Sequence, residues 1–155
     1  MRPLPARAGG PPLVVVDSSV SLKWALNDEE AVEQAVALRD DGLEGRIRMV
    51  APTLWSYEVA NGLWVAARRS RLSFAQGGLA LTALHALGVE LTAAEPNDCY
   101  AFAQRYHIAV YDAAYVALAA QLNTDVWTGD RKLYEAAFAA ANWVRWIGDY
   151  RSRVM

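Results

Sequence analysis

Four consecutive apolar residues, Leu13, Val14, Val15 and Val16, run directly into an acid, Asp17. Three of the four are β-branched, and none is polar. A strand that alternated with solvent would interrupt such a run, so this one predicts a strand covered on both faces, as in a parallel sheet. The rest of the chain follows the same rhythm. Short apolar strand candidates fall at 48–51, 89–92, 125–129 and 143–147. Between them lie segments with helical spacing. One begins at Ser18 or Ser19, either of which offers a cap. Others span 28–42, with acids in the first turn and Gly42 as a stop, and 53–70, 73–87, 96–106, 112–123 and 131–141. This alternation predicts an α/β fold: a single three-layer domain with a mostly parallel central sheet flanked by helices.

At 155 residues the chain is one domain by length and can bury roughly 70% of its unfolded surface. We divide it into a disordered leader at 1–12, a domain at 13–150 and a tail at 151–155. The leader carries Arg2 and Arg7 but no apolar stretch behind them, so it does not read as a signal peptide. No apolar run approaches the roughly 20 residues a bilayer span needs. Cys99 is the sole cysteine, which excludes an internal disulfide and fits a reducing, cytoplasmic setting. The net charge of -2 argues against binding nucleic acid by bulk charge. A nucleic-acid enzyme with this composition needs metal and a local basic patch. Arg68, Arg69 and Arg71, the pair Arg46 and Arg48, and Arg131 with Lys132 are the candidates, and each also reads as a solvated helix end.

In sheets of this kind, ligands bind beyond the carboxyl ends of the strands, where the strand order reverses. Asp17 follows the first strand and Asp130 follows the run at 125–129, so both are expected at that edge. Asp112 heads a helix of Ala, Tyr, Val and Leu that begins near the same edge, and Glu58 is set in an apolar-rich helix. Each acid has a simpler reading. Asp17, Asp112 and Asp130 fit as helix caps or turn residues, and Glu58 fits as a solvated side chain. Taken together, they make a ring of carboxylates that would repel itself and raise its own pKa values unless a cation sat in it. All-oxygen ligands suit Mg²⁺ or Mn²⁺ rather than zinc. His85 and His107 lack ligand spacing.

Four segments carry a resemblance: "VVVDSSVSLKWAL", "VAPTLWSYEVANGLW", "YDAAYVALAAQL" and "VWTGDRKL". In order, across residues 13–147, they resemble the acid-bearing motifs of PIN-domain ribonucleases, and within them the VapC-type toxins of bacterial toxin–antitoxin pairs. The resemblance implies that Asp17, Glu58, Asp112 and Asp130 are the catalytic, metal-holding acids, with Asp130 the least direct ligand. It implies supporting roles for Ser19 beside Asp17 and for Thr128 two residues before Asp130. It further implies a PIN-like fold, hydrolysis of RNA phosphodiester bonds with Mg²⁺ or Mn²⁺, a cognate antitoxin and a homodimer. Arg68, Arg69, Arg71 and Lys132 are then candidate phosphate contacts. Six tryptophans are many for this length; Trp24, Trp55 and Trp64 read either as core or as part of a groove for the antitoxin. Three other readings stay open: a PIN-domain RNA-processing nuclease outside a toxin pair, a non-catalytic interaction module of the same fold, and a phospho-acceptor receiver, for which the paired acids near the first strand are lacking.

Overall fold

A computed structural model describes residues 9–154. The strands are β1 (Leu13–Val16), β2 (Arg48–Pro52), β3 (Glu90–Thr92), β4 (Val126–Thr128) and β5 (Val144–Trp146). The helices are α1 (Ser18–Leu22), α2 (Val32–Leu43), α3 (Trp55–Arg68), α4 (Phe74–His85), α5 (Pro96–Tyr106), α6 (Val110–Gln121) and α7 (Arg131–Ala137), and a 3₁₀ turn follows at Ile147–Asp149. The sheet runs β3-β2-β1-β4-β5, and every neighbouring pair is parallel.

β1 is buried at all four positions. Its side chains alternate: Leu13 and Val15 enter one hydrophobic core, Val14 and Val16 another. The first core takes Trp55, Val59 and Leu63 of α3 and Tyr115, Val116 and Leu118 of α6. The second takes Val20 of α1, Leu38 of α2, and Ile147 and Tyr150. Helices therefore cover both faces, and the three-layer expectation holds. α1 and α3 approach closely at Gly62, where an added Cβ would meet Leu22 Cδ1 at 2.5 Å. Among the described residues no helix is long and apolar enough to cross a membrane.

Several element bounds differ from expectation. The first helix ends at Leu22, and its successor starts only at Val32. Trp24 leaves the helical path to donate its indole N–H to the Ala35 carbonyl at 2.8 Å. Ala31 sits in the left-handed region at φ 58°, which breaks right-handed continuity just before α2. The acids expected in the first turn of α2 fall in this connection instead. Asp28 and Glu29 pair with Arg71, and Glu30 with Arg131. Gly42 lies inside α2 rather than ending it. Most of the expected leader, residues 1–8, lies outside the described residues, and residues 9–12 are exposed. Trp55 is core, whereas Trp64 is half exposed. Cys99 is free and buried.

The segment after β5 is fastened by one acid. Asp41 in α2, 0% exposed, accepts hydrogen bonds from Tyr150 Oη at 2.5 Å, Ser152 Oγ at 2.8 Å and the Arg153 backbone N–H at 2.9 Å. Arg46 Nε donates to it at 2.6 Å. Burial alone would raise its pKa; these donors outweigh burial and hold it at about 2. A folded pKa below the unfolded value of about 3.9 means that Asp41 stabilises the fold fully above about pH 4, and that this contribution is lost as pH falls toward 2. Asp41→Asn is therefore expected to cost about 3 kcal/mol at pH 7. Urea unfolding should show that deficit shrinking at pH 2.5; a deficit independent of pH would contradict the assignment.

Candidate active site

From β1 the chain moves outward through β2 to β3, then returns to place β4 on the other side of β1. The strand order therefore reverses between β1 and β4, and a crevice opens at their carboxyl ends. Val16 pairs with Trp127, so the next residue on each strand, Asp17 and Thr128, meet at the lip of that crevice. The Asp17 backbone N–H still bonds the Trp127 carbonyl, at 3.1 Å.

Asp17 occupies the N-cap position of α1 but makes no side-chain cap bond, so the cap reading of this acid does not hold. Its Oδ2 instead accepts from Thr128 Oγ1 at 2.9 Å and from Ser19 Oγ. Ser19 Oγ in turn accepts the Gly129 N–H at 2.8 Å, and Thr128 Oγ1 accepts the Asp130 N–H at 3.0 Å. The two hydroxyls thus tie the loops after β1 and β4 to one carboxylate oxygen. Among the described residues no side-chain oxygen that is fully buried lacks a partner, and Oδ1 accepts no bond, so Oδ1 is the edge of Asp17 that meets solvent. Gly129 leaves room here for a neighbouring side chain. A Cβ would stand 2.6 Å from Lys23 Cε, the stem of a lysine that is itself buried.

Glu58, in the first turn of α3, is half-buried. Tyr115 Oη donates to its Oε1 at 2.6 Å and Ser18 Oγ at 3.3 Å. Ser18 reads from the sequence only as a helix cap, and Tyr115 was not singled out, although it lies three residues after Asp112 and so on the same face of α6. Asp112 is also half-buried, but α6 begins at Val110 with Ala109 as its N-cap, so Asp112 is no cap. Its side chain accepts no hydrogen bond from a described residue. Asp130 is a true N-cap: its Oδ1 accepts from the backbone N–H groups of Lys132 at 2.9 Å and Leu133 at 3.3 Å.

Electrostatics links the four acids. Burial pushes the Asp17 pKa up to about 7; Ser19 and Thr128 offset part of that rise, and the charges of Glu58 and Asp112 add to it. The Glu58 pKa is raised by burial, against the bond from Tyr115, and further by the charge of Asp112. The Asp112 pKa is raised by burial and by Asp130. Tyr115, deeply buried beside two acids, holds its proton far above the usual range and remains a donor. Among the described residues, no three His, Cys, Asp or Glu side chains stand close enough together to enclose a metal ion as they are. The donor set nonetheless fits a hard divalent cation. Every member is a carboxylate, and three of the four resist ionising without added positive charge. His85 packs on the Trp55 ring and His107 ends α5, so neither adds nitrogen to the set.

The basic candidates divide. Arg71 is held by Asp28 and Glu29, Arg48 by Glu90, Arg46 by Asp41 and Glu44, and Arg131 by Glu30. Arg68 lies over the Trp64 ring at 4.7 Å; it, Arg69 and Lys132 form no ion pair with a described residue. Arg68 and Arg69 close α3, about 15 Å along the helix from Glu58 at 1.5 Å per residue.

The chain matches the PIN domain family over residues 14–139. It is 42% identical over 128 residues to Ribonuclease VapC3 of Pyrobaculum aerophilum, covering 79% of this chain and 92% of that relative. It is 34% identical over 127 residues to Ribonuclease VapC9 of Mycobacterium tuberculosis, covering 82% of this chain and 93% of that relative. PAE2754 from Pyrobaculum aerophilum, known from its crystal structure, superposes with a TM-score of 0.68 at 20% identity, covering 95% of this chain and 93% of that one; this likeness concerns the fold.

A carboxylate with a raised folded pKa destabilises the fold once pH rises above its unfolded value of about 3.9, because the unfolded chain loses the proton first. For Asp17 the window runs from about pH 4 to about 7. Asp17→Asn is therefore expected to stabilise the chain in EDTA at pH 8, by up to about 4 kcal/mol, with no advantage at pH 4. Thermal and urea unfolding at the two pH values check this; an Asn variant less stable at pH 8 would contradict it.

Proposed function

Because the chain belongs to the PIN-domain family, we propose that it is a divalent-cation-dependent endoribonuclease, the toxin of a type II toxin–antitoxin pair. The observation that carries this reading is that Ser18, next to Asp17 at the switch point of the sheet, and Tyr115, one turn after Asp112, both donate to Glu58, which links the elements bearing the three acids. Asp17 through Oδ1, Asp112 and Glu58 would hold Mg²⁺ or Mn²⁺, with Asp130 at the margin because one of its oxygens caps α7. The bound ion supplies Lewis-acid polarisation of a phosphodiester oxygen and charge to offset that of the transition state.

The chain's own residues prepare the site. Ser19 and Thr128 fix the rotamer of Asp17, so its free oxygen is aimed before any ligand arrives. Tyr115 and Ser18 do the same for Glu58 through Oε1. With no cysteine or histidine at the site, water is the nucleophile this set of groups serves. Arg68, Arg69 and Lys132, uncommitted to acids, would meet phosphates away from the cleaved bond, whereas Arg71 would first have to leave Asp28 and Glu29.

A cognate antitoxin and a second copy of the chain are the protein partners of this reading. Of the tryptophans proposed for an antitoxin groove, Trp64 is half exposed and Trp55 is core. A cytoplasmic location goes with an RNA substrate and with Cys99, which is free.

The test is cleavage of a panel of structured and single-stranded RNAs with Mg²⁺, with Mn²⁺ and with EDTA. The native chain should cut only with metal, and Asp17→Asn should lose at least about a hundredfold in rate. Equal cleavage by both chains, or cleavage unaffected by EDTA, would reject the site. Growth arrest on expression, relieved by the product of a neighbouring short reading frame, tests the toxin assignment.

A further inference from the structure

Two of the site acids are each preceded in sequence by a tyrosine, Tyr57 before Glu58 and Tyr111 before Asp112. Both tyrosines are open to solvent, Tyr57 at 82% and Tyr111 at 69% exposure. They come from the first turns of different helices, α3 and α6, yet both line one cavity of about 520 Å³. Leu22 and Leu54 supply an apolar wall, Asn61 an amide, and Ser18 with Glu58 the end that belongs to the acid site. Neither tyrosine makes a hydrogen bond or ring contact with a described residue, so both rings are open to a ligand.

We propose that this cavity receives an unpaired nucleobase of the RNA next to the cleaved phosphodiester, stacked on Tyr57 and Tyr111. The inference rests on the ribonuclease reading and narrows its substrate to strands with an unstacked nucleotide at the cut. Three features select this occupant. A base presents two apolar faces to aromatic rings and a polar edge, and the cavity offers two free rings, aliphatic wall and one amide with both a donor and an acceptor. Glu58 lines the cavity and Tyr111 on its wall directly precedes Asp112, so a base held here leaves its own phosphate on the side of the acids. The chain's net charge is -2, and with Arg71, Arg48 and Arg131 paired the basic candidates left for phosphates are Arg68, Arg69 and Lys132, so stacking adds grip that backbone charge alone supplies sparingly. Bases locked in a duplex cannot enter.

The experiment uses a short single-stranded oligoribonucleotide containing one 2-aminopurine, titrated with the full chain in EDTA at low salt, where stacking is read as fluorescence quenching. Binding by the native chain should weaken about tenfold in Tyr57→Ala and in Tyr111→Ala, and stay within about twofold in the corresponding Phe variants. Tyr100→Ala, an exposed tyrosine on α5, should bind as the native chain does. A fully paired duplex of the same sequence should not compete. Native-like binding by both Ala variants, equal losses in Phe and Ala variants, or competition by the duplex would overturn the proposal. Cleavage by the native chain with Mn²⁺ is measured in parallel. If it cuts RNA but binds independently of the tyrosines, the base site fails alone. If it binds through the tyrosines but never cuts, the base site stands and the ribonuclease reading falls.

Discussion

Asp17 is a carboxylate that this fold buries to 4% exposure and then surrounds with other carboxylates. Nothing in the economy of folding favours that. Burial opposes its charge, and Glu58 and Asp112 oppose it further. The fold accepts the arrangement because the strand order turns around at β1 and β4, which leaves the residue directly after β1 facing the end of another strand. Two hydroxyls, from Ser19 in α1 and Thr128 at the end of β4, take one oxygen of Asp17 and leave the other at the mouth of the crevice. A divalent cation would turn the same repulsion into attraction, and the roles proposed for the neighbouring residues follow from that reversal.

The supporting residues are arranged around this one constraint. Tyr115 keeps its proton because it sits deep beside two acids, and so it always donates to Glu58. At Gly129 the buried Lys23 side chain passes where a Cβ would be, and the Gly129 N–H ties the segment after β4 to Ser19. Asp130 serves two masters, capping α7 with one oxygen while its charge is felt by Asp112. Away from the site, Asp41 shows the opposite solution to a buried acid: four donors converge on it, and its pKa falls rather than rises. The contrast separates an acid whose charge the fold satisfies from acids whose charge it opposes.

Much of this was legible in the order of residues. "LVVV" announces a strand buried on both faces, and Asp17 directly after it announces a strand end, because both statements depend only on local composition and on how parallel sheets are covered. Asp112 stands out in the sequence through its resemblance to a family motif, though its helix starts two residues earlier than composition suggests. The missing pieces are contacts between distant segments. That Tyr115 reaches Glu58, or that Asp41 reaches Ser152 and Arg153, depends on how helices pack, and spacing along one helix does not encode it. The break at Ala31 was hidden because left-handed backbone at an alanine has no composition signal, and the acids before it look like a first helical turn. The exposed rings of Tyr57 and Tyr111 look, in sequence, like ordinary helix residues.

The claim that these acids await a cation is tested most directly by counting protons. Titrating Mn²⁺ into the native chain by calorimetry, in buffers of different ionisation enthalpy, gives the protons released per ion bound. With Asp17 titrating near 7, the account expects release of close to one proton at pH 6.5, fading by pH 8.5. Binding at pH 6.5 with no proton released, or no binding at either pH, would contradict it.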